Sequence, residues 1–306
     1  MKLDFGELGV PVDAMATFTP APLMECAGRL YPGADPASPG FEAVANAVAR
    51  ESGLALDAWA ARGDAILGLR GGAAFLRDGG MERWTQPDSA LEALVGPLAF
   101  APDFAFAVAI TDDPSDPDLG ATRLVAFEPR AGRTTPVARS SGFESRRLAW
   151  TLAGMVALAD DGALDIVDTT ARAHRAPPPP WEAENASFPA LAASADGARL
   201  ALVRAPDDAP AEIWVAETAP GALDWRTAPT LSADSVGAVA WRPGGEALLA
   251  ILRDGARNLM ALVTPDGSLA AEVALPSIWA GELAAWSGDG ARAWSADGPL
   301  MAVWGA

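Results

Sequence analysis

Four carboxylates crowd one short run, Thr111-Asp112-Asp113-Pro114-Ser115-Asp116-Pro117-Asp118. Calcium takes about six to eight oxygen ligands, often from such a loop. Asp112, Asp113, Asp116 and Asp118 are therefore the candidate metal-binding residues. Their spacing matches no EF-hand loop, and the prolines suit a solvated hairpin between two strands. The expectation is no cofactor, with calcium at this run the one exception the chemistry admits. The chain has one cysteine, Cys26, and one histidine, His174. An internal disulfide, a site of two imidazoles and a Cys-Cys-His zinc cluster are all excluded. A Ser-His-Asp triad would have to use His174. That residue lies in the alternating stretch Ala171-Arg172-Ala173-His174-Arg175, which reads as a surface strand.

Charge narrows the partners. The 306 residues carry 22 Lys+Arg against 40 Asp+Glu, a net charge of −18. Binding to a phosphate backbone draws its affinity from Lys and Arg replacing counterions. No basic cluster breaks the acidic pattern, so nucleic acid is not expected as a partner. Met1 to Val10 holds one basic residue, then acids, and no continuous apolar stretch. No secretory signal is expected there, and no window reaches about 18 apolar residues, so no membrane span is expected either. The expected location is cytoplasmic.

The elements that would position these residues show as a repeat. A small residue, an aromatic, a turn and a β-rich run recur at Ala58-Trp59, Ala99-Phe100, Ala149-Trp150, Leu191-Ala192, Ala240-Trp241 and Ala285-Trp286, with Ala192 in the aromatic's place. Positions 59, 100, 150, 192, 241 and 286 lie 41, 50, 42, 49 and 45 apart. A period of about 45 with strand content belongs to propellers. A four-stranded sheet with two apolar faces cannot bury both alone, and stacking sheets around an axis buries them. Asp161-Gly162, Asp254-Gly255, Asp266-Gly267 and Asp297-Gly298 supply hairpin turns.

The expectation is an all-β, six-bladed propeller of four-stranded antiparallel blades, a single domain over 1–306. Its repeats fall near 56–96, 97–146, 147–187, 188–236, 237–281 and 282–306. Seven blades, with residues 1–50 building another, is the alternative. After Trp286 only 20 residues remain, so the last blade lacks its outermost strand. Residues 1–19 would supply it, through Val12 to Phe18 or else Leu3 to Val10, because proteins avoid an open sheet edge. Residues 20–55 do not fit the repeat. Prolines punctuate them, and Phe41, Val44, Ala45, Val48 and Ala49 have helical spacing before Gly53, so a helix-bearing insertion is expected.

The phrase Trp286-Ser287-Gly288-Asp289-Gly290 resembles the strand-turn-strand signature of TolB-like and WD-repeat β-propellers. Ser194-Ala195-Asp196-Gly197 and Trp241-Arg242-Pro243-Gly244-Gly245 look like degenerate copies. The resemblance covers about 250 residues and implies the fold; propellers host enzymes, receptors and scaffolds alike. Sialidase Asp boxes place one residue between Asp and Gly, whereas Gly290 follows Asp289 directly, so these aspartates read as turn formers. Lactonase and esterase propellers resemble one another in a central divalent metal held by Glu, Asn and Asp. Of Asn46, Asn185 and Asn258, only Asn185 stands beside carboxylates, Glu182 and Glu184.

Function is then read by elimination. Lacking catalytic His, Cys or metal clusters, the chain reads as a non-catalytic protein-interaction scaffold, a subunit of a larger assembly. An acidic surface suits a partner with basic patches. The alternative is a metal-dependent hydrolase or lactonase at the propeller mouth. Strands committed to stacking leave recognition to sequence outside the repeat. Leu23, Met24, Leu30 and Tyr31 of the insertion and Trp181 and Phe188 of the loop after Pro177–Pro180 are the candidate partner contacts. The competing reading of both segments is that they fold back as plugs. The proline run is either a rigid connector or a ligand for an aromatic groove.

Overall fold

The computed structural model describes residues 3–7, strands and short connections between 58 and 184, all of 185–275, and further strands between 283 and 305. The insertion 20–55, its helix, and the segment Val12 to Phe18 lie outside the described residues. So does most of the stretch 1–50 on which a seventh blade would draw. No helix among the described residues is long and apolar enough to cross a membrane.

Strand β1 is Leu3–Glu7. The first sheet of the repeat holds β2 (Ala58–Arg62), β3 (Ala65–Arg70), β4 (Ala73–Asp78) and β5 (Met81–Trp84). The second holds β6 (Leu94–Phe100), β7 (Ala107–Asp112), β8 (Thr122–Glu128) and β9 (Arg133–Pro136). The third holds β10 (Arg147–Thr151), β11 (Gly154–Leu158), β12 (Leu164–Val167) and β13 (Ala173–Arg175). The fourth holds β14 (Ala186–Ala193), β15 (Arg199–Pro206), β16 (Ala211–Ala219), β17 (Ala222–Trp225) and β18 (Leu231–Ala233). The fifth holds β19 (Ser235–Trp241), β20 (Leu248–Asp254), β21 (Arg257–Val263) and β22 (Leu269–Leu275). The sixth holds β23 (Leu283–Trp286), β24 (Arg292–Asp297) and β25 (Leu300–Gly305).

From β2 onward the strands of each sheet form antiparallel meanders joined by short hairpins. β17 and β18 both pair with β16, at opposite ends of it, so the fourth strand of that sheet is one strand broken by an excursion at 226–230. In the sixth sheet β1 lies antiparallel to β25, with Leu3 opposite Trp304 and Glu7 opposite Leu300.

The first strands β2, β6, β10, β14, β19 and β23 lie side by side in that order, and the later strands splay outward from them. Successive sheets therefore stack face on face. In β15, Leu200 and Leu202 pack toward Val156, Leu158 and Ile166 of the third sheet. The alternate residues Ala201 and Val203 pack toward Leu248, Ala250 and Leu252 of the fifth. Leu249, Ile251 and Met260 on the far side of the fifth sheet meet Trp286 and Trp304 of the sixth. This is why β15 and β20 are nearly continuous apolar runs, with both faces covered. Each fully buried Leu, Ile or Val contributes about 1.5–3 kcal/mol of transfer free energy.

The repeated aromatic position falls in the first strand of all six sheets among the described residues: Trp59, Phe100, Trp150, Ala192, Trp241 and Trp286. In two successive cases the indole reaches back to the preceding sheet. Trp241 Nε1 donates to the Ala192 carbonyl at 3.1 Å, and Trp286 Nε1 donates to the Ala240 carbonyl at 3.1 Å. A second series runs forward through the turns between first and second strands. The Leu152 amide donates to the Gly197 carbonyl at 2.8 Å, Arg199 Nη1 donates to the Gly245 carbonyl, and Arg242 Nε donates to the Gly290 carbonyl at 2.9 Å. Gly197 holds φ at 71°, and a Cβ there would lie 3.0 Å from the Leu152 nitrogen, so a side chain would both strain the turn and wedge the sheets apart. The Arg242 guanidinium also lies over the Trp286 ring, 5.4 Å from its centroid.

Trp286→Phe keeps the apolar bulk but strips the donor from the Ala240 carbonyl. It should lower stability by about 1–3 kcal/mol, read as a drop in urea midpoint with an unchanged far-ultraviolet spectrum. Trp241→Phe should do the same. Unchanged midpoints in both would show that the indole bridges do not hold the sheets together.

Candidate functional site

The residues best suited to chemistry are dispersed. His174 sits exposed on the outer strand β13, its Nε2 3.4 Å from the Gly221 carbonyl of the fourth sheet. Asp112 ends β7, while Asp113, Asp116 and Asp118 lie outside the described residues. Asn185 immediately precedes β14 with φ at 52°, a left-handed conformation that asparagine tolerates; Glu182 and Glu184 lie outside the described residues. Among the described residues, no three His, Cys, Asp or Glu side chains gather closely enough to hold a metal ion.

Two aspartates of the repeat turns have their carboxylates engaged locally. Asp196 Oδ1 accepts from Ser194 Oγ at 2.6 Å and from the Ala198 amide at 3.0 Å. The Ser194 hydrogen bond first, and the Ala198 amide second, hold its carboxyl below the usual carboxylate range. Asp266 accepts from Thr264 Oγ1 and, at 3.1 Å, from the Ser268 amide, and its carboxyl is held low chiefly by Thr264. Other carboxylates pair singly with arginines: Asp165 with Arg175 at 2.8 Å, Glu217 with Arg199 at 3.1 Å, Asp254 with Arg257 at 2.8 Å.

The loop aromatics part company. Phe188, expected as an exposed anchor, is 7% exposed and belongs to the core between the third and fourth sheets. The reason is that β14 starts at Ala186, so Phe188 is a strand residue whose ring covers Gly162. A Cβ on Gly162 would lie 2.3 Å from the phenyl Cζ. Arg147 Nε ties the same residue's carbonyl to β10 at 2.7 Å. Leu23, Met24, Leu30 and Tyr31 lie outside the described residues.

Trp181 is half-buried and joins two tryptophans that sequence reasoning did not single out as a site. Its ring centroid lies 5.0 Å from that of Trp214 on β16, tilted by 48°, and 4.8 Å from that of Trp225 on β17, edge-on at 82°. Such offset and edge arrangements are the favourable ones for aromatic rings. Trp214 forms a fixed floor: its Nε1 donates to Glu212 Oε2 at 2.9 Å, and Arg204 Nη1 donates to the same oxygen at 3.1 Å. The indole N–H groups of Trp181 and Trp225 are buried without a hydrogen-bond partner among the described residues. An unsatisfied buried donor costs about 1–3 kcal/mol. One sequence signal was available. The fourth repeat lacks the aromatic at Ala192 yet carries Trp214 and Trp225 elsewhere.

Geometrically, then, six antiparallel sheets stack through their first strands. No family model and no curated protein matches the sequence. Solved structures do. A hydrazine synthase chain from Kuenenia stuttgartiensis is 13% identical, with a TM-score of 0.54 over 80% of this chain and 81% of that one. An oligogalacturonate lyase in complex with manganese is 12% identical, with a TM-score of 0.57 over 80% of this chain and 74% of that one. The fold is a β-propeller. TolB from Acinetobacter baumannii also matches, at 16% identity and a TM-score of 0.46, over 70% of this chain; the match spans about half of that chain's length, 52%. In propeller terms, the tryptophan cluster sits where the connector leaving the third blade meets the outer strands of the fourth.

Two outcomes follow from these placements. Phe188→Ala should cost about 3–5 kcal/mol, seen as a large fall in denaturation midpoint; a shift under about 1 kcal/mol would place the ring outside the core. Asp196→Ala should lower the urea midpoint at pH 7. The folded carboxyl titrates below its unfolded value of about 3.9, so its stabilisation is present above that pH and is lost as pH falls through the folded value. The gap between wild type and variant should therefore close in titrations taken below about pH 4. A gap constant with pH would contradict it.

Proposed function

We propose that this propeller is a non-catalytic protein-interaction platform of the cytoplasm, a subunit of a larger assembly whose partner presents a basic surface. The observation that carries the reading is how the acids are used. The net charge is −18, and many of the described carboxylates are engaged in turns or with arginines, Asp254 and Glu272 sharing Arg257. Asp207, Asp208 and Asp224 stand exposed with no ion pair to another described residue. A surface of that kind guides a basic partner by charge complementarity more than it concentrates reactivity at one point. The apolar residues Leu23, Met24, Leu30 and Tyr31 are the proposed contact segment, being outside the repeat.

The competing reading is a metal-dependent hydrolase or lactonase at the propeller mouth. Its support is the fold likeness to a lyase in complex with manganese, with Asn185 beside Glu182 and Glu184 as the donors for that reading and Asp112, Asp113, Asp116 and Asp118 as a separate calcium-binding run. Two measurements separate the readings. Purification of the tagged protein from its native host should return a stoichiometric partner, released as salt is raised from about 0.1 to 1 M because the Debye length contracts from about 10 to 3 Å. Tyr31→Ala should weaken that complex without shifting the melting temperature. A purified protein with stoichiometric calcium or manganese, turning over a lactone or ester panel and returning no partner, would replace the platform with the enzyme.

A further inference from the structure

The outermost strand of a sheet ends in a row of N–H and carbonyl groups that invites another strand to pair, and proteins blunt such edges. Most outer edges among the described residues are blunted. β13 has three residues, among them His174 and Arg175. β5 and β9 have four each, and β9 ends on Pro136. The outer strand of the fourth sheet is broken at 226–230, where Pro229 stands. The edge of the sixth sheet beyond β25 is taken by β1. β22 differs. It runs for seven residues, Leu269-Ala270-Ala271-Glu272-Val273-Ala274-Leu275, with neither proline nor cation. It is the last strand of its sheet, with no described strand beyond it. Leu269, Ala270, Glu272 and Ala274 are exposed along it.

Register fixes which of its groups are open. β20 and β21 are joined by Gly255 and Ala256 alone, and a turn of that length bonds Asp254 to Arg257. Bonding alternates from there. Leu259 and Ala261 bond back to β20, while Asn258, Met260 and Leu262 bond forward to Leu275, Val273 and Ala271 of β22. Glu272 and Ala274 therefore turn their N–H and carbonyl groups to the open edge. The bulge between Leu262 and Val263 is confined to the start of the strand. Side chains alternate over the same stretch: Ala271 and Val273 lean on the core shared with the sixth sheet, and Glu272 stands on the opposite face. Glu272 lies 3.4 Å from Arg257 Nη1, the longer arm of a guanidinium that holds Asp254 at 2.8 Å.

We propose that β22 is the docking edge for an extended segment of the basic partner. The segment adds antiparallel, as β1 does beside β25, with apolar residues on the Ala271 and Val273 side and a lysine or arginine opposite Glu272. This rests on the interaction-platform reading and names a contact site for it. Main-chain bonds to Glu272 and Ala274 supply affinity, and alternate side chains supply selectivity. Charge picks the occupant. A second copy of this chain carries the same −18, and pairing β22 with itself about Glu272 would set two carboxylates directly opposite each other. A basic segment meets complementary charge at that point.

The probe is a fluorescein-labelled peptide, Thr-Val-Thr-Val-Lys-Val-Thr-Val-Thr, titrated with the full-length protein and read by anisotropy. Wild type should bind it about fivefold more tightly than the same peptide with glutamate for lysine. Ala274→Pro removes an outward N–H and no bond of the internal ladder, so it should lose the binding at an unchanged melting temperature. Glu272→Arg should reverse the preference between the two peptides. No binding by wild type overturns the proposal, as does binding that survives Ala274→Pro or a preference that Glu272→Arg leaves in place. If Ala274→Pro fails to fold, the charge reversal decides alone. A dimer in sedimentation equilibrium that Ala274→Pro dissolves makes the occupant a second copy and overturns the proposal too. The native-host purification separates the two readings: a partner still recovered with Ala274→Pro leaves the platform standing and removes only the edge, whereas no partner with wild type removes both.

Discussion

Everything in this molecule follows from sheets that are apolar on both faces. Leu200 and Leu202 point one way from β15 and Ala201 and Val203 the other, and all four are buried. A lone sheet of that kind would leave one side in water at a cost of several kcal/mol. It needs a neighbour on each side, and that neighbour needs another. Stacking sheet on sheet satisfies the requirement along the described series with one repeated solution. The end of the series still needs an edge partner, and β1 beside β25 covers the edge that the C-terminal strand would otherwise present.

The blades are joined by more than apolar contact. Indole N–H groups of one blade reach carbonyls of the blade before it, and turn residues of one blade reach carbonyls of the blade after it. Both series gather where the first strands run into their turns, Trp241 and Arg242 being adjacent residues, so neighbouring blades are pinned together at that end. Tryptophan suits the first series because one side chain provides both a large apolar surface and a donor. Arginine suits the second because its guanidinium reaches a carbonyl across a turn and can also lie on a ring, as Arg242 does on Trp286.

The architecture was legible because its signals are local and repeated. The aromatic positions, the Asp-Gly turns and the apolar runs each recur, and Trp241 and Trp286 show why the period exists. Phe188 was misread because β14 carries a bulge between Ser187 and Ala190. A bulge breaks the alternation by which a strand is recognised, so the start of the strand looked like loop. The tryptophan cluster was illegible for another reason. Trp181, Trp214 and Trp225 come from a connector and two outer strands, and only the fold brings them together. Asp196 was legible as a turn former, and its carboxylate accepts from the Ala198 amide as such a residue should; the added bond from Ser194 Oγ comes from the fold of the turn.

The acceptors in both inter-blade series are main-chain carbonyls. Such a contact constrains the donor's side chain and asks nothing of the acceptor's, which is how alanine can stand at position 192 and still receive the Trp241 indole. Half of every bridge is thereby free to drift, and a donor lost on one blade can be replaced by a different residue type on another, as the Leu152 amide and the arginines illustrate. Chains built this way can exchange nearly all their residues and keep their shape. Solved propellers only 12–13% identical share this fold over four-fifths of the chain, as that tolerance allows.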